Sequence, residues 1–355
     1  MVRVEMLAAS FGDCILVEFG KGTDLHRILI DAGLVGTYRS ALKPRLAALG
    51  QGNPVPLDLL VVTHIDRDHI CGILPLLREK QALVAPMDVW FNGRHHLEDD
   101  VLGSKDGEAL GELLLKKKLP WNAAFEHRAV VVPEAGDLPV VPVGGAKLTL
   151  LSPYRDALHA LAGEWDDTLG NWDEEPAEVA GAGAQPDDIL GKRPPLASID
   201  VQGVRDLADV PFEEDDAKPN GSSIAFLFEY EGKRVLFAAD AHPSALLQSL
   251  GRLGDSRVKL DAFKLSHHGS MNNLSPELIE KVKCPRWLVS SNGGSFGHPH
   301  PETMARIATA PKAKTLCFNY ASPYTTVWDD ETVKKHLEYE VEYPAAGREG
   351  LVLEL

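Results

Sequence analysis

Residues 57–72 read LDLLVVTHIDRDHICG, an apolar run through Leu59 to Val62 that ends directly on His64, Asp66, Asp68 and His69. Aliphatic and β-branched residues in a short run read as a buried strand, so the four polar side chains sit on one loop at a strand end. Imidazole and carboxylate together suit zinc, manganese or iron, and their tight spacing lets one loop serve two ions.

Working outward, strand patterns recur at 2–7, 14–19, 27–31 and 58–63, with a helical pattern over 38–49 and another starting near Gly72. This is an α/β beginning. Downstream the pattern predicts a strand at 87–91, a helix over 107–118 and strands at 129–132 and 147–151. Two further strands, SSIAFLFEY and KRVLFAAD, meet in a hairpin at Glu231-Gly232. A helix over 243–251, a strand at 259–266, a helix capped by Ser275 with Pro276 at its first position, a strand at 286–291 and a helix opening at Pro301 follow. Strands at 314–318, 323–327 and 350–354 complete the reading.

The chain has 355 residues, 44% of them hydrophobic, enough for one large core, and we read 1–355 as a single domain. Residues 161–219 interrupt it as an acidic insertion rich in Gly, Ala and Pro, centred on AGAGAQPDD and expected to be mostly loop. Between Leu161 and Asn220 sixteen acidic residues face four basic ones, so this stretch holds -12 of the net -16. The remainder is nearly neutral, which leaves room for an anionic substrate.

The alternating N-terminus reads as strand and not as a signal peptide, and no apolar stretch approaches the ~20 residues of a membrane helix. Cys14, Cys71, Cys284 and Cys317 are far apart, and all but Cys284 have apolar neighbours, as free thiols in a reducing compartment would. The expected location is cytoplasmic, with no membrane partner.

Three more segments carry candidate ligands: ILIDAG with Asp31, FAADA with Asp240, and KLSHHGS with His267 and His268. In this order, with HxDxDH standing for HxHxDH, they resemble the metallo-β-lactamase superfamily. GDCILVEF, LTLLSPY, NGSSIAFLFEYEGKRVLFAADA and FGHPHPE narrow the resemblance to the soluble hydrolase domain of the DNA-uptake protein ComEC and its free-standing relatives. The resemblance implies a metallo-β-lactamase αββα four-layer sandwich with a two-metal centre at one edge of its sheets. It implies one ion at His64 and Asp66, another at Asp68, His69 and a histidine of HHGS, and Asp240 as the bridge. Asp68 would also orient the attacking hydroxide.

Spacing does not decide between His267 and His268, because adjacent residues at a strand end point to opposite sides. The reading adopted takes His267 as the ligand and His268 as the catalytic contact to the leaving group. Where the superfamily supplies another histidine, this chain has Asn220, a neutral and weaker ligand that makes one site richer in oxygen. One or two divalent ions are expected, zinc first and manganese as the alternative.

Asn220, Ser270, His298 and His300 are the substrate-binding candidates, with Asn272, Asn292, Gly293 and Gly294 as ordinary loop formers that can also bind phosphate. His95 and His96 read as a surface pair, and Lys116 to Lys118 as a solvated helix end. Lys264, in the strand leading to HHGS, is the base expected to approach the site.

The function expected is metal-activated hydrolysis, of phosphodiesters or nucleic acid first. A small ester, lactone or phosphocholine-type substrate under a lid made from 161–219 is the alternative. A non-catalytic protein that docks a basic partner on the acidic insertion is the third reading.

Overall fold

The computed structural model describes residues 1–97, 109–163, 165, 193–311 and 313–355. One large sheet orders its strands Leu351–Glu354, Val2–Met6, Ile15–Lys21, Asp24–Ile30, Leu59–Val61 and Val89–Trp90. The other runs Tyr339–Glu342, Lys314–Phe318, Arg286–Val289, Ala262–Lys264, Lys233–Phe237, Ala225–Tyr230, Ala146–Ser152 and Val140–Val143. Asp24–Ile30, Leu59–Val61 and Val89–Trp90 are parallel, as are the strands from Lys233–Phe237 to Tyr339–Glu342.

The two-residue period of a strand sorts each side chain into one of two cores. Ile28, Ile30, Leu59 and Val61 join the core shared with Phe226 and Phe228 of the second sheet, while Leu29, Leu60 and Val62 face Leu42, Leu46, Ile70, Ile73 and Leu77 of the covering helices. Phe19 meets Phe228 edge-on with ring centroids 5.1 Å apart, fastening sheet to sheet. Beyond the second sheet, helices Pro243–Arg252, Pro276–Lys281 and Pro301–Thr309 bury Leu246, Leu250, Leu278, Met304 and Ile307. The layers therefore run helix, sheet, sheet, helix, the αββα sandwich of the α/β class.

Several local expectations are corrected. Residues 323–327 are not a strand: Pro323–Thr326 is helical and Val327–Asp329 a 3-10 turn, because Pro323 is preset for a first helical turn and Thr325 Oγ1 accepts the Ser322 N–H at 2.9 Å. Around 129–132 only the bridge between Val132 and Tyr154 forms. The helix expected over 107–118 is observed at Ala109–Lys117, and positions 107 and 108 lie outside the described residues.

Residues 164 and 166–192, including AGAGAQPDD, also lie outside them. What is described of the acidic insertion beyond Arg193 is not simply loop. Asp200 accepts the Gly203 N–H at 2.7 Å and caps the helix Val201–Ala208, whose Val204 is buried. Arg306 donates to the Val210 carbonyl at 3.1 Å and Tyr324 to that of Arg193 at 3.0 Å. The segment is thereby strapped to the rest of the protein. Among the described residues no helix is long and apolar enough to cross a membrane, and all four cysteines are free, Cys14 and Cys317 buried.

Candidate metal centre

The strands stop at a common edge, and their polar residues begin there. His64 follows Leu59–Val61, Asp240 follows Lys233–Phe237, His267 and His268 follow Ala262–Lys264, and Asp31 follows Asp24–Ile30. A sheet edge where parallel strands end leaves room for a site between the loops. The loop before Ile15–Lys21 closes in from the antiparallel neighbour: Asp13 N–H donates to the Asp68 carbonyl at 3.1 Å. A Cβ on Gly12 would lie 1.9 Å from that same oxygen, so only glycine permits the approach.

Asp240 Oδ2 is the centre of the cluster. It lies 3.4 Å from His69 Nε2 and 3.8 Å from the Nε2 atoms of His64, His267 and His268. His69 Nε2 and His268 Nε2 are 3.2 Å apart, Asp68 Oδ2 is 3.3 Å from His268 Nε2, and Asp66 Oδ2 is 3.6 Å from His64 Nε2.

Each ring is held so that Nδ1 carries the hydrogen. His69 Nδ1 donates to Asp31 Oδ2 at 2.8 Å, and His268 Nδ1 to the Ser290 carbonyl at 3.1 Å. His64 Nδ1 donates to Thr63 Oγ1 at 3.0 Å, whose own hydrogen goes to Asp31. His267 Nδ1 donates to Asn273 Oδ1 at 3.0 Å. Four Nε2 lone pairs therefore converge on a carboxylate, and lone pairs this close need a cation or a proton between them.

A divalent ion fits this donor set. Bonds of ~2.0–2.1 Å in a tetrahedron put ligand atoms about 3.3–3.4 Å apart, close to the separations observed. Buried His64 Nε2, Asp240 Oδ1, Asn220 Oδ1 and Asp13 Oδ1 have no hydrogen-bond partner in the protein, which suits atoms offered to a cation. Two clusters of possible ligand atoms share His69: His64, His69 and Asp240 form one, and Asp13, His69 and His268 the other.

The electrostatics agree. Burial alone would depress the histidines, yet Asp240, Asp68 and Asp31 raise His69 well above the usual range, and Asp240 and Asp13 push His268 up to about 9. Against the opposing effect of burial, His69, His267 and His268 hold Asp240 well below the usual carboxylate range. Such a site attracts positive charge.

Sequence comparison now bears on it: residues 8–147, which span the strands leading to His64 and the HxDxDH loop itself, match the metallo-beta-lactamase superfamily. Over those residues the chain is similar to the metallo-beta-lactamase superfamily. Its members are in general metal-dependent hydrolases, in keeping with the His and Asp clusters at the sheet edge. No curated protein matches the chain by sequence.

Similar solved structures include Zn2+-bound PqqB from Methylobacterium extorquens, at 13% identity over 100% of both chains and a TM-score of 0.44. A mutant of the CmlA beta-hydroxylase shares 13% identity over 99% of this chain, with a TM-score of 0.40, and this chain spans 54% of its length. A diphosphatase from the PhnP family shares 14% identity over 97% of this chain and 85% of its own, with a TM-score of 0.35.

At this edge the structure gathers His64, Asp66, Asp68, His69, Asp240, His267 and His268, with Asn220 Nδ2 3.3 Å from His267 Nδ1. The two histidines of the pair, read as ligand at His267 and catalytic contact at His268, both point Nε2 at Asp240. His268 is 1% exposed and packed between His69 and Asp68, while His267 is 25% exposed. Both rings reach Asp240 because His267 and His268 adopt left-handed φ of 44° and 53°. The alternation of a strand does not apply to such a turn.

His298 is buried with its ring 5.0 Å from that of His267, and burial, helped by the neighbouring histidines, holds it neutral. His300 does not face the cluster with a free nitrogen: Nδ1 accepts the Met271 N–H at 3.1 Å and Nε2 donates to the Phe296 carbonyl at 3.2 Å. Ser270 is buried in the turn, its Oγ accepting the Asn272 N–H at 3.3 Å. His96 is buried, not a surface residue; its Nδ1 accepts the Gly93 N–H at 3.1 Å, and burial pulls its pKa down to about 3.

Two residues escaped the sequence reading. Asp13 lies in GDCILVEF, a segment noted only as a whole; its Oδ2 accepts from buried Lys264 at 2.7 Å and its Oδ1 is 3.4 Å from His268 Nδ1. Asp215 lies in the acidic insertion, where one carboxylate among sixteen acidic residues gives no signal of its own.

Proposed function

We propose that this chain is a metal-dependent phosphodiesterase that holds two divalent ions around Asp240. The observation that carries the reading is the convergence of four histidine Nε2 atoms within 3.4–3.8 Å of Asp240 Oδ2. When bound, the ions supply an acidified water and positive charge for the oxygens of a phosphoryl group. The protein's own residues do the rest. Asp68, 19% exposed with Oδ2 3.3 Å from His268 Nε2, accepts the proton of the attacking water, while Asp31 holds His69 in the tautomer that binds. Asp66, 34% exposed, adds a hard oxygen donor that favours manganese more than an all-imidazole set would.

Whether the phosphodiester belongs to a nucleic acid or to a small molecule turns on the acidic insertion. Its stretch Glu213 to Asp216 lies against the HHGS loop, with Asn272 Nδ2 donating to the Glu213 carbonyl at 2.6 Å. That position disfavours a long polyanion and supports the second reading, a small phosphodiester, ester or lactone.

The test offers full-length protein with Mn2+ or Zn2+ single- and double-stranded DNA, RNA, bis(p-nitrophenyl) phosphate and an aromatic lactone, beside Asp240→Ala. Cleavage of a phosphodiester that drops more than about 100-fold in Asp240→Ala is expected, beyond what loss of a supporting residue gives. Equal activity in that variant, or cleavage of the lactone alone, would remove the phosphodiesterase reading.

A further inference from the structure

The acidic insertion places one side chain at the centre. Asp215 N–H donates to the Asn272 carbonyl at 3.0 Å, which ties the segment to the turn after HHGS. Its Oδ2 accepts from Asn220 Nδ2 at 2.6 Å and from Asn273 Nδ2 at 2.9 Å, and lies 3.6 Å from His267 Nδ1. Ala217 N–H donates to Oδ1 at 3.1 Å. Three N–H donors thus converge on its two oxygens, so in this setting the carboxylate is an acceptor only.

An amide has two ends, and an acceptor-only neighbour decides which one turns towards it. Both asparagines must present their NH2 groups to Asp215. Asn273 Oδ1 is then directed at His267 Nδ1, 3.0 Å away, so that nitrogen carries the hydrogen and Nε2 keeps its lone pair. That lone pair lies 3.8 Å from Asp240 Oδ2. Asn220, 2% exposed, is left with Oδ1 buried and without a partner.

We propose that Asp215 is a positioning residue of the metal centre: by orienting Asn220 and Asn273 it selects Asn220 Oδ1 and His267 Nε2 as the atoms offered to a cation. The inference rests on the metal-binding reading above. It gives the described part of the acidic insertion a task inside the site, separate from covering it. It also explains how a chain with Asn220 in place of a histidine keeps a competent second binding position. The neutral amide is pinned oxygen-first, and His267, beside it, supplies imidazole.

The experiment titrates chelator-stripped, full-length protein with Co2+, following absorption to resolve each ion and its ligand geometry. Wild type is expected to take up two ions in two steps. In Asp215→Asn one step should weaken 10–100-fold, with its spectrum altered, while the other stays within about twofold. Asp215→Glu, which keeps the acceptor charge, should recover part of the loss. Adding Asp215→Asn to Asn220→Ala/His267→Ala should change nothing further, since the residues it acts through are gone.

Two unchanged steps in Asp215→Asn would overturn the inference and leave the metal centre standing. Parallel weakening of both steps, with lowered thermal stability of the chelated protein, would reduce Asp215 to a structural staple and overturn it as well. Wild type that binds no Co2+ would overturn the metal centre and the inference together.

Discussion

The two sides of Asp240 are supported differently. Asp68, His69 and His268 are backed by the framework itself: Asp31 at one strand end holds His69, the Ser290 carbonyl at another holds His268, and the buried Lys264–Asp13 pair lies behind it. His267 and Asn220 are backed by Asp215, which belongs to a strap laid on from outside the sheets. Both carboxylate–histidine arrangements orient a ligand; only the first is secured by strand pairing. Disturbing the framework should therefore cost fold and metal together, whereas disturbing the strap should cost metal alone.

The largest effect is expected from Lys264→Met. Removing the ammonium takes from buried Asp13 its only lysine partner and leaves it His268 alone, which destabilises by about 3–5 kcal/mol. Urea unfolding of the chelated protein checks it, and Asp13→Asn/Lys264→Met should regain much of the loss. A stability unchanged by Lys264→Met would break the distinction between the two sides. Asp31→Asn is the next test. The amide no longer fixes His69 as a Nδ1–H tautomer, so metal affinity should fall 10–100-fold. Asp31 also accepts the Thr63 N–H and hydroxyl at 2.8 and 2.7 Å, so the apo protein should lose stability too, unlike Asp215→Asn.

What could be read from the sequence follows the same division. The strands, the edge where they stop and the cluster of His64, Asp66, Asp68, His69 and Asp240 were legible because each motif follows an apolar strand run. That both His267 and His268 reach Asp240 was not legible, because two successive left-handed residues replace strand geometry, and a sequence with no glycine at either position does not announce that. Asp13 was hidden in a loop whose importance lies in its approach to the Asp68 backbone, 55 positions away. Asp215 was masked by its neighbours: in a run of Glu and Asp, only three-dimensional contact separates the residue that reaches the site from those that face solvent.

The smallest effect expected serves as the control for both sides. Ser275 Oγ accepts the Leu278 N–H at 3.1 Å and caps the helix Pro276–Lys281, a few residues beyond the HHGS turn. Ser275→Ala leaves that N–H without its partner and should cost about 1 kcal/mol of stability. The helix contributes no ligand, and the turn before it is held independently by Asn273, whose amide is fixed by Asp215 and His267. Co2+ uptake should therefore keep both steps within about twofold of wild type while the urea midpoint drops. If this modest loss of stability also weakened one step, the metal centre would be responding to general loosening, and selective loss in Asp215→Asn could no longer be assigned to the orientation of two amides.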